Sequence, residues 1–289
     1  MPAVTINGGD VVYDIVGDPD APLVVLTPGG RFSKEIPGLR PLADALVDGG
    51  MRVLLWDRPN CGESDVQFYG VTESHMRAET LHGLLGALEL GPCVIAGGSG
   101  GARDSLLTVM LYPELATKLV VWNIVGGIPG VFSLGAYYVL PSLRAVRLGG
   151  MESVVELADW QSLVEANPKN RDRLLAFDAE EFERVMLRWL GAFVSKPGQT
   201  IPGVDDWMFE RIKVPTLIIR GGEKDITHPK RTSLEVSCLI EGSRLIDPPW
   251  PEDAWEHANR NRHKYDRYNM FDTWVLAAPA ILDFLRGSG

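Results

Sequence analysis

Val94-Ile95-Ala96-Gly97-Gly98-Ser99-Gly100-Gly101-Ala102-Arg103, VIAGGSGGAR, sets one serine among four glycines. An apolar β-branched run precedes it, and Leu106-Leu107-Thr108-Val109-Met110-Leu111 follows. Strand, Gly-x-Ser-x-Gly, helix is the pattern of a sharp turn that pushes a serine hydroxyl into a cleft. Such a turn strains the serine backbone and brings the residues two before and two after against neighbouring main chain, where a Cβ would clash. Gly97 and Gly101 occupy those positions, while Gly98 and Gly100 exceed the requirement and leave the turn open on both sides. Ser99 also opens a helix, where unpaired N–H groups and the dipole favour developing negative charge. A phosphate-cradling fingerprint needs GxGxxG, which GGSGGA does not supply.

Outward from this turn, short apolar runs alternate with helical patterns. Val11–Val16, Leu23–Leu26, Arg52–Trp56, Cys93–Ala96, Lys118–Trp122, Thr216–Arg220 and Ser243–Ile246 read as strands. Continuous hydrophobicity, in place of alternation, indicates strands buried on both faces, as in a parallel sheet covered by helices. Leu42, Ala45 and Leu46, and then Met76, Leu81, Leu84, Leu85 and Leu88, are spaced for crossover helices. The expected fold class is a doubly wound, mostly parallel α/β sheet. From about 126 to 202 the strand signal stops, and helical patterns carry Phe132, Tyr137, Tyr138, Trp160, Phe177, Phe182, Trp189 and Phe193. This predicts a core of residues 1–125 and 203–289 with a helical cap inserted at 126–202. Most of the cap aromatics are expected to form its own core, and some to line an apolar pocket.

The chain has 28 basic and 38 acidic residues among its 289. That balance argues against nucleic acid or an anionic membrane as partner, since both demand a basic face. Three widely spaced cysteines, Cys61, Cys93 and Cys238, without a CxxC pair, suit free thiols in a reducing compartment. The first residues carry no basic segment followed by an apolar one, and no apolar run reaches membrane-spanning length. A cytoplasmic monomer or homodimer acting on a small molecule, without metal or other cofactor, is the expectation. The terminal RGSG is left out of the fold reading.

With these motifs in place the chain resembles the α/β-hydrolase fold family over nearly its whole length, in its serine-nucleophile branch, which holds esterases and meta-cleavage-product C–C hydrolases. Thr27-Pro28-Gly29-Gly30-Arg31 is similar to the family's His-Gly-x loop, with Pro28 in place of the histidine. The resemblance implies that the N–H groups of Gly30 and Gly100 form an oxyanion hole. WDRPNCGESD, Trp56 to Asp65, looks like the family's Asp-x-Pro-Gly-x-Gly-x-Ser turn, in which Asp57, Gly62 and Ser64 shape a loop. Gly221-Gly222-Glu223-Lys224-Asp225 matches its Gly-x-x-Asp loop, which implies Asp225 as the carboxylate that orients a histidine. The order Ser, Asp, His is the family's.

The histidine is where the sequence departs from that pattern. Matching NMFDTW…AAPAILDFL to the family's ending puts Tyr268 near the slot a histidine normally fills. His75 and His82 lie on an early helix and read as structural. Of the other three, His263 in the long loop after the last strand is the first choice of base, with His257 and His228 as alternatives. His228, three residues from Asp225, is also read as a substrate contact. Arg31 and Arg103 flank the serine turn and the oxyanion loop; each reads either as a clamp for a substrate carboxylate or as a partner of Asp57 or Asp104. The expected activity is hydrolysis of an ester, lactone or activated C–C bond of a small apolar or carboxylated substrate, through an acyl-enzyme on Ser99. Fold alone does not fix a reaction, so two rivals stand beside it: a cofactor-free lyase or oxygenase using the same cleft, and a small-molecule receptor that keeps the serine without turnover.

Overall fold

In the computed structural model, residues 1–261 and 271–287 are described. The apolar runs form one eight-stranded sheet: β1 (Ala3–Ile6), β2 (Gly9–Val16), β3 (Leu23–Thr27), β4 (Arg52–Trp56), β5 (Cys93–Gly98), β6 (Ala116–Trp122), β7 (Thr216–Ile219) and β8 (Arg244–Ile246). Their order across the sheet is β1-β2-β4-β3-β5-β6-β7-β8. The β1–β2 and β2–β4 pairs are antiparallel, and every later pair is parallel.

Period-2 alternation divides the strand residues between two cores. Val25, Leu54, Ile95 and Val121 point to the face covered by α2 (Glu73–Ala87) and α3 (Gly100–Leu111). Val24, Leu26, Val53, Val94 and Val120 point to the face covered by α1 (Leu39–Asp48) and α11 (Ala278–Arg286). Because both faces are covered, a residue at either phase of the strand is apolar. Each such Val, Leu or Ile contributes roughly 1.5–3 kcal/mol by leaving water.

After β6 the chain leaves the sheet for α4 (Ile128–Tyr138), α5 (Leu140–Val155), α6 (Ala158–Ala166), α7 (Lys169–Leu175) and α8 (Ala179–Leu190), then returns in β7. These helices enclose a third core of their own around Trp160, Leu174, Phe182, Met186 and Trp189. Phe68, from the segment between β4 and α2, enters it, with its ring 5.0 Å from those of Phe177 and Phe182. Two aromatics of this stretch, Phe132 and Tyr137, are exposed instead. After β7 come α9 (Lys230–Leu239), β8 and α10 (Ala254–Asn261). No helix among the described residues is long and apolar enough to cross a membrane.

Candidate active site

The carboxyl ends of β3, β5 and β7, neighbours or near neighbours in the sheet, bring three loops together. Ser99 lies between β5 and α3 with φ 56° and ψ −121°, a left-handed backbone that a side chain adopts only under constraint. Its N–H donates to the Trp122 carbonyl at 3.0 Å, and its carbonyl accepts the Ala102 N–H. Packing explains the glycines. A Cβ on Gly97 would sit 2.5 Å from the Gly101 carbonyl oxygen, and one on Gly101 would sit 2.2 Å from that of Thr27. Gly98 is not surplus, contrary to the sequence expectation: a Cβ there would meet the Trp122 indole at 2.1 Å.

The imidazole beside the serine belongs to His228. Ser99 Oγ and His228 Nε2 are 2.8 Å apart, and His228 Nδ1 is 2.9 Å from Asp225 Oδ2. All three side chains are buried, His228 completely. With Nδ1–H donating to the carboxylate, Nε2 presents its lone pair to the serine hydroxyl. Asp225 also shapes its own loop, because Oδ1 accepts the backbone N–H groups of Thr227 at 2.9 Å and His228 at 2.8 Å. One oxygen folds the chain back and the other holds the ring, which is how residues three apart meet face to face. The edge of the ring packs against Trp255 of α10, with centroids 4.3 Å apart at 85°. His228, read from the sequence as an alternative base or a substrate contact, is the imidazole that this turn sets against the serine. His263, the first choice of base, lies outside the described residues. His257 lies on α10 and is exposed.

Gly30 and Gly100 stand together. Gly30 is left-handed (φ +49°), and its nitrogen lies 3.0 Å from where a Cβ on Gly100 would be. As the first residue of α3, Gly100 has an N–H with no intrahelical acceptor. A residue that the sequence reading overlooked fixes this loop. Arg58, fully buried, donates to the carbonyls of Gly29 (3.0 Å) and Gly30 (2.9 Å) and pairs with Asp104 at 2.8 Å. Its one visible signal is an arginine directly after the acidic residue that follows a buried strand. Asp57 and Ser64 hold the adjoining loop: Asp57 accepts the N–H groups of Lys34 and Glu63, and the Ser64 hydroxyl donates to the Asp57 carbonyl. Arg31 pairs with Glu73 at 3.0 Å, not with Asp57, and Arg103 donates to the Ser74 hydroxyl instead of pairing with Asp104. His75 and His82 are away from the serine, His75 against Thr72 and His82 stacked on Tyr112.

Ser99, Gly30 and Gly100 open on a cavity of about 340 Å³ whose walls include Arg31, Arg103 and Tyr138. A larger one of about 700 Å³ has Asp225 in its wall but not Ser99; the smaller is the one that reaches the serine and the Gly30–Gly100 pair. Among the described residues no cluster of three histidine, cysteine or acidic side chains is placed to hold a metal ion.

No family model matches the chain. It is 30% identical to the 2-hydroxy-6-oxononadienedioate/2-hydroxy-6-oxononatrienedioate hydrolase of Burkholderia vietnamiensis, over 96% of this chain and 91% of that protein. To the mouse sn-1-specific diacylglycerol lipase ABHD11 it is 33% identical, over 88% of this chain and 82% of the lipase. Among solved structures, the enol-lactonase from Burkholderia xenovorans superposes with a TM-score of 0.62 at 18% identity, covering 99% of this chain and 100% of that one. The doubly wound sheet and these full-length similarities to hydrolases lead to one assignment: the chain belongs to the α/β-hydrolase family.

Proposed function

We propose that this hydrolase uses Ser99 as nucleophile, His228 as general base and Asp225 as the orienting acid, forming an acyl-enzyme from an ester, lactone or activated C–C substrate. The observation that carries this reading is the unbroken run from hydroxyl to imidazole to carboxylate at 2.8 and 2.9 Å. As Ser99 Oγ attacks a carbonyl carbon, its proton moves to His228 Nε2, and Asp225 stabilises the imidazolium that results. Negative charge collects on the former carbonyl oxygen, which the N–H groups of Gly30 and Gly100 receive. Donors already aimed at that point are worth on the order of 3 kcal/mol each. The imidazolium then gives its proton to the leaving alkoxide or carbanion, and water takes the same route in reverse to release the acid.

The relatives support the substrate range: one is a hydrolase of a 2-hydroxy-6-oxo-dienedioate, another is a diacylglycerol lipase, and a structural neighbour is an enol-lactonase. The insertion at 126–202 is read as a lid on the core of residues 1–125 and 203–289. Tyr137 and Tyr138 of α4, with Phe193, wall the Ser99 cavity from that side. A fluorophosphonate probe tests the assignment. One adduct on the Ser99 peptide, lost in Ser99→Ala, is expected; a fully folded protein that takes no label would exclude a serine nucleophile and return the cleft to the lyase or receptor readings.

A further inference from the structure

Below the Ser99 cavity, α2, α3 and the two adjoining loops bury four guanidinium groups against two carboxylates. Arg31 and Arg77 each lie 3.0 Å from Glu73, while Arg58 at 2.8 Å and Arg77 at 3.6 Å share Asp104. None of these five side chains is more than one-tenth exposed. Arg103 is the one left over. It is 8% exposed, donates from Nε to Ser74 Oγ at 2.7 Å, and rests on the Phe193 ring at 5.1 Å. Among the described residues no carboxylate comes within ion-pair distance of it, and its terminal nitrogens have no hydrogen-bond acceptor. Arg31 Nη2 is likewise buried without an acceptor. Arg31 and Arg103 both face the cavity.

An ion taken out of water without a counter-ion is strongly disfavoured, so a cation in this position calls for an anion from outside the chain. Its location specifies where. Arg103 follows Ser99 by about one turn of α3, and helical side chains lean toward the helix N-terminus. The guanidinium therefore flanks the serine turn. Burial, together with the like charges of Arg77 and Arg58, lowers the pKa of Arg103 against the pull of Asp104 and Glu73. Burial and the charge of Arg103 lower that of His75. The local field is positive.

We infer that the cavity takes its substrate by a carboxylate group, bound in the fork of Arg103 with Arg31 beside it, so that the hydrolase prefers anionic substrates to neutral ones of equal size. This rests on the hydrolase reading above, and it assigns the role to Arg103 in particular, because Arg31 already has Glu73. Bidentate guanidinium–carboxylate contact supplies both the charge and the orientation that hold a reacting carbonyl over Ser99.

The test compares kcat/KM for 4-nitrophenyl hydrogen adipate and 4-nitrophenyl hexanoate, which share acyl length and leaving group. The wild type is expected to favour the adipate ester by about tenfold or more, and Arg103→Met to cut that ratio by about ten- to a hundredfold. Arg103→Lys should restore part of it. The ratio is internal to each variant, so a general loss of activity does not alter it. A wild-type ratio near one, or one unmoved in Arg103→Met, overturns the inference. Should Arg103→Met not fold, inhibition of wild-type hexanoate hydrolysis by adipate, and not by dimethyl adipate, supports it. No inhibition, or stimulation by adipate as a free effector, overturns it. Failure of the two readings is distinguishable. Turnover of the neutral ester without anion preference leaves the hydrolase standing and removes the carboxylate site. If neither ester reacts but adipate raises the melting temperature of wild type and not of Arg103→Met, the site stands and the hydrolase falls.

Discussion

Replacing Asp225 by asparagine separates its two tasks. An amide keeps a carbonyl oxygen for the N–H groups of Thr227 and His228, which Oδ1 now accepts at 2.9 and 2.8 Å. Toward the ring, however, it turns an NH2 in place of Oδ2, now 2.9 Å from Nδ1. A donor there demands an acceptor at Nδ1, so the ring proton shifts to Nε2 and points at the Ser99 hydroxyl instead of receiving from it. A wrong tautomer of this kind lowers kcat by about 10⁴, or about 5.5 kcal/mol of barrier. The loop should survive, and the melting temperature should stay near that of wild type. Asp225→Ala removes the acceptor for the buried His228 N–H and the part-buried Thr227 N–H as well, at about 1–3 kcal/mol each. It should be as inactive as Asp225→Asn and melt lower by on the order of 5–10 °C. Hydrolysis of 4-nitrophenyl butanoate and circular-dichroism melting curves read the two quantities separately. Asp225→Asn with more than about a tenth of wild-type kcat would refute the assigned tautomer. Equal melting of the two variants would refute the turn-forming role.

Other consequences follow from the buried charges and the packing. Burial alone would raise the Glu73 carboxyl, but Arg31 and Arg77 hold it down to about 2, below its ordinary 4.5. A carboxylate depressed in the folded state adds stability that is present above about pH 4.5 and lost as pH falls toward 2, on the order of 3 kcal/mol here. The melting temperature of wild type should thus fall more steeply than that of Glu73→Gln below about pH 4.5, and parallel curves would contradict the ion-pair network. Phe68→Ala empties the centre of the third core, where four aromatic rings surround it, and should cost about 3–5 kcal/mol in urea unfolding. Gly98→Ala drives a Cβ into Trp122 and should cost about 1–3 kcal/mol while displacing the serine turn. Gly86→Ala on the exposed face of α2, where a Cβ meets nothing within 4 Å, should instead stabilise by roughly 0.5–1 kcal/mol. Opposite signs for the two glycines in thermal melts are the check.

The sheet was legible in the sequence because burial on both faces leaves continuous apolar runs, as in Leu23 to Leu26 and Leu217 to Ile219. The serine turn was legible because close main-chain approach admits only glycine at Gly97 and Gly101. Three features were not. The antiparallel start of the sheet is one, since Asp10 and Asp14 mark β2 as half-buried without marking its direction. The need for glycine at Gly98 comes from Trp122, a partner 24 positions away that no local pattern announces. The placement of His228 depends on a carboxylate that binds its own backbone. Asp-x-x-His reads from sequence as two polar residues on one loop, and only the turn closed by Oδ1 shows that the ring is held where Ser99 can reach it. The charge cluster was hidden for a related reason: Arg31, Arg58, Glu73 and Asp104 come from four segments, and their pairing follows from the fold.

The contact between Ser99 and His228 is tested most directly in the first turnover. Wild type and His228→Ala are mixed with 4-nitrophenyl acetate, quenched before a second turnover, and analysed by intact-protein and peptide mass. An acetyl group on the Ser99 peptide of wild type, formed about 10³-fold or more slower without the imidazole, is the expected result. Acetylation at the same rate in His228→Ala, or on a residue other than Ser99, would contradict it.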